Sequence, residues 1–175
     1  MKRFLIIVLL LNFSCKEASK EVVAQVKNSE AEVKSDIDLK IYDYDGLEPL
    51  INKTDGKVHV VNFWATWCAP CVKELPYFEK VNAEYQDKNV EVLLVSLDFP
   101  RQYETKLKPF IKAKKLQSEV VCFDDVDQNR WIPAIDSSWS GALPATIIYK
   151  DDKRQFYEKS FTYEELKTEV QQFLK

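Results

Sequence analysis

Two cysteines two residues apart stand between aromatic residues and prolines in FWATWCAPCVKELP, Phe63 to Pro76. Thiols so spaced can supply half of a metal ligand set, stay closed as a staple, or open and close as a redox pair. The spacing admits all three, and the flanking elements decide between them. Lys57 to Trp64 (KVHVVNFW) is a nearly unbroken apolar and β-prone run, which predicts a strand covered on both faces. From Cys68 to Gln86 apolar residues recur at helical spacing: Val72, Leu75, Phe78, Val81 and Tyr85. Cys68 therefore ends a loop after a central strand, at the point where a helix begins.

That position favours redox chemistry. A helix N-terminus carries unpaired N–H groups and the positive end of the macrodipole. A thiolate there is stabilised, and its pKa falls below about 8.5. Cys71 lies one turn further in, where its sulfur can meet that of Cys68. Pro70 falls in the first turn, where a missing N–H costs nothing, and Trp67 and Pro70 flank the sulfurs as substrate-facing apolar surface. Cys68 is then the outer, attacking thiol and Cys71 the shielded, resolving one.

The rest of the chain must hold this pair. Leu39 to Tyr42 reads as an edge strand, Asp45 as the cap of a short helix through Ile51, and Asp55-Gly56 as a turn. Val90 to Leu97 is a second buried strand, Tyr103 to Lys115 a helix, and Glu119 to Phe123 a short strand. Leu143 to Tyr149 and Gln155 to Lys159 pair as a hairpin around Asp151-Asp152. Thr162 and Glu165 form a capping box opening a last helix that turns Leu166, Val170, Phe173 and Leu174 inward. This alternation predicts an α/β fold, a central, largely parallel sheet with helices on both faces.

The N-terminus reads as an address. Lys2 and Arg3 precede an apolar run, Phe4 to Leu11, too short to span a bilayer, which needs about 20 residues. Ser14 and Cys15 follow, which resembles the lipobox of bacterial lipoproteins, where the cysteine becomes the lipidated first residue. Asn12 and Phe13 stand where leucine and a small residue are usual, and the other reading is an ordinary signal peptide cut nearby. The expected organisation is a signal at 1–14, a tether at 15–36 reaching roughly 25 Å as a coil or forming a loose helix, and one folded domain at 37–175. Net charge is −3 with scattered basic residues, which gives no nucleic-acid partner. Once Cys15 is lipidated, three of the four cysteines remain, too few for a disulfide scaffold.

WCAPC after such a strand looks like the thioredoxin superfamily. VNFWATWCAPCVKELPYF resembles its TlpA/ResA-like branch, membrane-tethered extracytoplasmic thiol–disulfide oxidoreductases, and GALPATIIY and VSLDFP resemble that branch's further landmarks. The resemblance covers roughly Leu39 to Lys175. It implies a thioredoxin-like fold with a central mixed sheet, and an enzyme working as a reductase on exported protein disulfides, fed by a membrane thiol donor. It implies that Pro144, at the start of a strand, is cis, and that the Leu143 backbone pairs with a substrate strand. It makes Glu74 a modulator of the thiol pKa values and a proton acceptor; read from the helix alone, Glu74 is an exposed glutamate. Asn62 departs from the buried aspartate of cytosolic thioredoxins, which argues against a mechanism resting on a buried aspartate and puts more weight on Glu74.

Other readings compete with this one. Zinc held by Cys68, Cys71, Cys122 and His59 has only one short ligand pair, whereas structural zinc usually has two; no metal and no cofactor is expected. A peroxiredoxin-like peroxidase usually has a threonine three residues before its cysteine, and Thr66 is two before Cys68. A non-catalytic staple closing so short a loop removes little entropy from the unfolded chain. Cys122 reads as a core residue. Asp124 to Ser140 reads as a long loop in which Trp131 and Trp139 either wall a groove beside the dithiol or close the core.

Overall fold

The computed structural model describes residues 37–175; the expected export signal at 1–14, Cys15 and the expected tether at 15–36 lie outside the described residues. The chain runs β1 (Ile41–Tyr42), α1 (Tyr44–Leu47), β2 (Val58–Trp64), α2 (Ala69–Tyr85), β3 (Val90–Ser96), α3 (Lys108–Lys114), β4 (Glu119–Phe123), α4 (Gln128–Ile135), β5 (Ala145–Lys150), β6 (Lys153–Tyr157) and α5 (Tyr163–Phe173). The strands form one six-stranded sheet in the order β1-β4-β3-β2-β5-β6. β1, β4, β3 and β2 pair in parallel, and β5 and β6 add antiparallel strands. This is the α/β architecture with a central mixed sheet flanked by helices. Among the described residues no helix is long and apolar enough to cross a membrane.

β2 lies between β3 and β5, and each of its seven residues is buried. Alternation along a strand sends neighbours to opposite faces. Val58, Val60 and Trp64 pack with Leu75, Phe78 and Val81 of α2 and Leu166 and Val170 of α5. Val61 and Phe63 pack on the other face with Leu47 of α1 and Trp131 and Ile135 of α4. Asn62, in step with Val60 and Trp64, is thereby aimed at α2.

Three local expectations are corrected. The cap of α1 is Asp43, whose side chain accepts the N–H of Gly46, not Asp45. The helix expected from Tyr103 starts instead as a π-helical turn, Tyr103–Leu107, before α3. Pro109 has no N–H for the Thr105 carbonyl, so a regular ladder cannot run through this point. The stretch read as a loop contains α4, capped by Asp127 on the N–H of Arg130.

Candidate functional site

The dithiol sits at the C-terminal end of β2. The chain leaves Trp64, turns through a Cys68 N–H to Ala65 carbonyl bond of 3.1 Å, and enters α2 at Ala69. Cys68 is the N-cap: its sulfur accepts the N–H of Cys71 at 3.3 Å. Pro70 takes the second helical position, where its missing N–H leaves no bond unmade. Cys68 and Cys71 are joined as a disulfide, Cα to Cα 5.3 Å. Cys71 is fully covered and Cys68 nearly so, whereas Trp67 and Pro70 beside them are exposed.

The peptide bond Leu143–Pro144 is cis. Ala145 pairs with Phe63, so Pro144 stands level with the end of β2 from which the dithiol loop departs. Leu143 is half-buried, packed against both core layers.

Glu74 is 1% exposed, so it is not a surface glutamate of α2. One carboxylate oxygen accepts the Asn62 amide N–H at 3.2 Å and the other the main-chain N–H of Phe161 at 2.7 Å. Asn62 also donates to Thr146 Oγ1 at 3.1 Å, and its own Oδ1 is buried without a partner. Burial pushes the Glu74 carboxyl up to about 7, against the two hydrogen bonds, which favour the ionised form. A space of about 270 Å³ lined by Pro70, Lys73, Glu74, Tyr77 and Phe161 opens beside it. The larger space, about 540 Å³, lies at the opposite end of the sheet, against the start of β4.

The loops on the far side of the dithiol are clamped by Asp98, 1% exposed. Its carboxylate accepts the Thr66 N–H at 3.0 Å, the Thr66 hydroxyl, and the Ser96 hydroxyl at 2.9 Å. Sequence reading passed over Asp98; the signal available was an acidic residue directly after an apolar strand.

The zinc grouping is not assembled. Cys68 and Cys71 follow the C-terminal end of β2, while His59 is near its N-terminal end, about 16 Å away for a strand of this length. His59 stacks on Tyr149 and bonds Asp55 at 2.8 Å. Its other ring nitrogen faces Glu91, which Lys53 and Lys57 also engage. Cys122 is buried and free, and burial pushes its thiol up to about 12. Of the two readings of Trp131 and Trp139, core closure is the one that holds: they are 3% and 5% exposed, with indole N–H groups on the carbonyls of Asp125 and Ala142.

Set against known proteins, residues 14–154 match the AhpC/TSA family. A thiol-disulfide oxidoreductase ResA of Oceanobacillus iheyensis is 50% identical over 48 residues, 27% of this chain and 25% of that protein. The ResA of Geobacillus thermodenitrificans is 30% identical over 137 residues, 78% of this chain and 72% of its own length. The chain thus spans well under two thirds of the first relative. Among solved structures, a thiol:disulfide interchange protein of the thioredoxin family from Chlorobium tepidum TLS superposes with a TM-score of 0.58 at 18% identity, covering 75% of this chain and 90% of that one. At that identity the likeness shows the fold.

Proposed function

The chain belongs to the AhpC/TSA family, alongside ResA-type thiol–disulfide oxidoreductases, and on that premise we propose that it exchanges electrons with exported proteins through Cys68 and Cys71, working as a reductase. The observation that carries this reading is the Cys68–Cys71 pair closed at the tip of α2, with the Cys68 sulfur on a helix-terminal N–H. The same N–H and the helix dipole stabilise a thiolate once the bond opens.

In the reduced protein the Cys68 thiolate attacks one sulfur of a partner disulfide. A mixed disulfide forms, and the partner's other sulfur leaves as a thiolate. Cys71 then gives up its proton, attacks the Cys68 sulfur and releases the partner's second thiolate. Two electrons pass to the partner, and the protein ends as the disulfide seen here. Glu74, one helical turn beyond Cys71, receives the Cys71 proton; a carboxyl titrating near neutrality suits that task. The Leu143 backbone pairs with the partner strand before the cis bond. Trp67 and Pro70 give that strand an apolar bed. A membrane thiol donor restores the dithiol, and the lipid on Cys15 keeps the domain near it, on the extracytoplasmic side.

Insulin reduction by wild type and by Cys68→Ser tests the reading: the variant loses turnover, and equal activity would overturn the catalytic claim. Rapid, saturable oxidation of the reduced protein by peroxide would favour a peroxidase instead. Cys71→Ser traps the partner as a mixed disulfide, which identifies it.

A further inference from the structure

Beside the dithiol the apolar surface at Trp67 continues onto a second loop, whose residues the exchange step does not use. Among the described residues four large apolar side chains are exposed, Ile41, Trp67, Phe99 and Val126. Two of them meet. The rings of Trp67 and Phe99 stack with centroids 6.3 Å apart and planes at 21°, although each ring stays about half exposed. They come from different loops, one before Cys68 and one after β3. The Arg101 guanidinium lies 5.3 Å from the Phe99 ring centroid. Arg130 is paired with Asp45, and Arg154 donates to the Ile51 carbonyl and Asn52. Arg101 has no such acceptor among the described residues.

This surface is held in place. Asp98 precedes Phe99, Thr66 precedes Trp67, and the buried Asp98 carboxylate takes both the N–H and the hydroxyl of Thr66. The clamp fixes the two loops to each other, so little ordering remains to be done when a partner settles on the rings. Aromatic side chains and arginine are the residues enriched where protein surfaces bind, and an unpaired cation adds a demand for negative charge.

We propose that Trp67, Phe99 and Arg101 form a recognition platform selecting partner polypeptides that carry an apolar side chain and an acidic residue within a few residues of the reacting cysteine. The proposal rests on the exchange reading and names its substrate class. An extended segment entering the dithiol advances about 3.3 Å per residue. A few residues therefore carry it from Cys68 across the stacked rings to Arg101.

The test uses two synthetic peptides, each closed by one internal disulfide. They are identical except that phenylalanine and glutamate flank the disulfide on both sides in one, and phenylalanine and lysine in the other. Within each variant the ratio of kcat/KM for the two peptides is measured, so any loss of folded protein cancels. Wild type prefers the acidic peptide about fivefold, a preference that shrinks as salt is raised. Arg101→Glu inverts it, and Phe99→Ser raises KM for both peptides. An unchanged ratio in Arg101→Glu, or no preference in wild type, overturns the platform and leaves the exchange reading standing. A concentration-dependent dimer that Phe99→Ser dissolves assigns the rings to a second copy of the chain and also overturns it. If insulin and both peptides stay unreduced by wild type, the exchange reading falls and the platform with it.

Discussion

The carboxylate of Glu74 accepts the main-chain N–H of Phe161 at 2.7 Å, which ties the segment entering α5 to the helix that bears both cysteines. The same carboxylate holds the amide of Asn62, and so reaches the central strand as well. An ionisable group placed this way links the proton state of the site to the packing of the domain, and its consequences are measurable.

The first concerns pH and stability. The Glu74 carboxyl is raised from 4.5 to about 7 in the folded chain. Between those values the unfolded chain releases the proton and the folded chain keeps it, so stability falls as pH rises through this window and is lowest above it. Urea unfolding of the wild type should lose on the order of 2–3 kcal/mol from pH 4.5 to pH 8 relative to Glu74→Gln, which has no proton to lose. In the insulin assay the variant should also lose an inflection near neutral pH. Parallel stability curves would remove Glu74 from the account.

The second concerns Asp98. Asp98→Ala leaves the Thr66 N–H, the Thr66 hydroxyl and the Ser96 hydroxyl without their acceptor. The expected loss is about 2–4 kcal/mol by urea unfolding, with Asp98→Asn milder because an amide oxygen still accepts.

The third separates core from groove at Trp139, whose ring touches those of Phe63, Trp131 and Phe156. Trp139→Ala should cost about 3–5 kcal/mol while the KM for insulin in the folded fraction is unchanged. A stable variant with a raised KM would restore the groove.

The fourth concerns Cys122. Its buried thiol, pushed up to about 12, should resist alkylation until the protein unfolds, and Cys122→Ala should reduce insulin like wild type. Labelling of the native protein at Cys122 would make it a third redox thiol.

The strands and α2 were legible because each carries its period locally: β2 as a buried run, α2 as Leu75, Phe78, Val81 and Tyr85. α5 announced itself through Thr162 and Glu165, whose reciprocal capping is present. α4, only eight residues long and interrupted by Pro133, carries a weak helical pattern and reads as part of a loop. Its real signal was the Asp127 cap with Trp131 and Ile135 four residues apart on the buried face. The position of Glu74 followed from the motif, but its burial did not, since the groups covering it, Asn62 and Phe161, come from a strand and a distant loop. The stacking of Phe99 on Trp67 was illegible for the same reason: the two rings are 32 positions apart and meet only because β2 and β3 run side by side.

The claim beneath all of this is that the sulfur of Cys68 is an acidic, reactive thiol. The direct measurement is the pH dependence of iodoacetamide alkylation of the reduced protein, read at Cys68 and Cys71 separately by mass spectrometry. Cys68 should react first, with a midpoint below about 8.5. A midpoint at or above that value, or faster labelling of Cys71, would contradict the account.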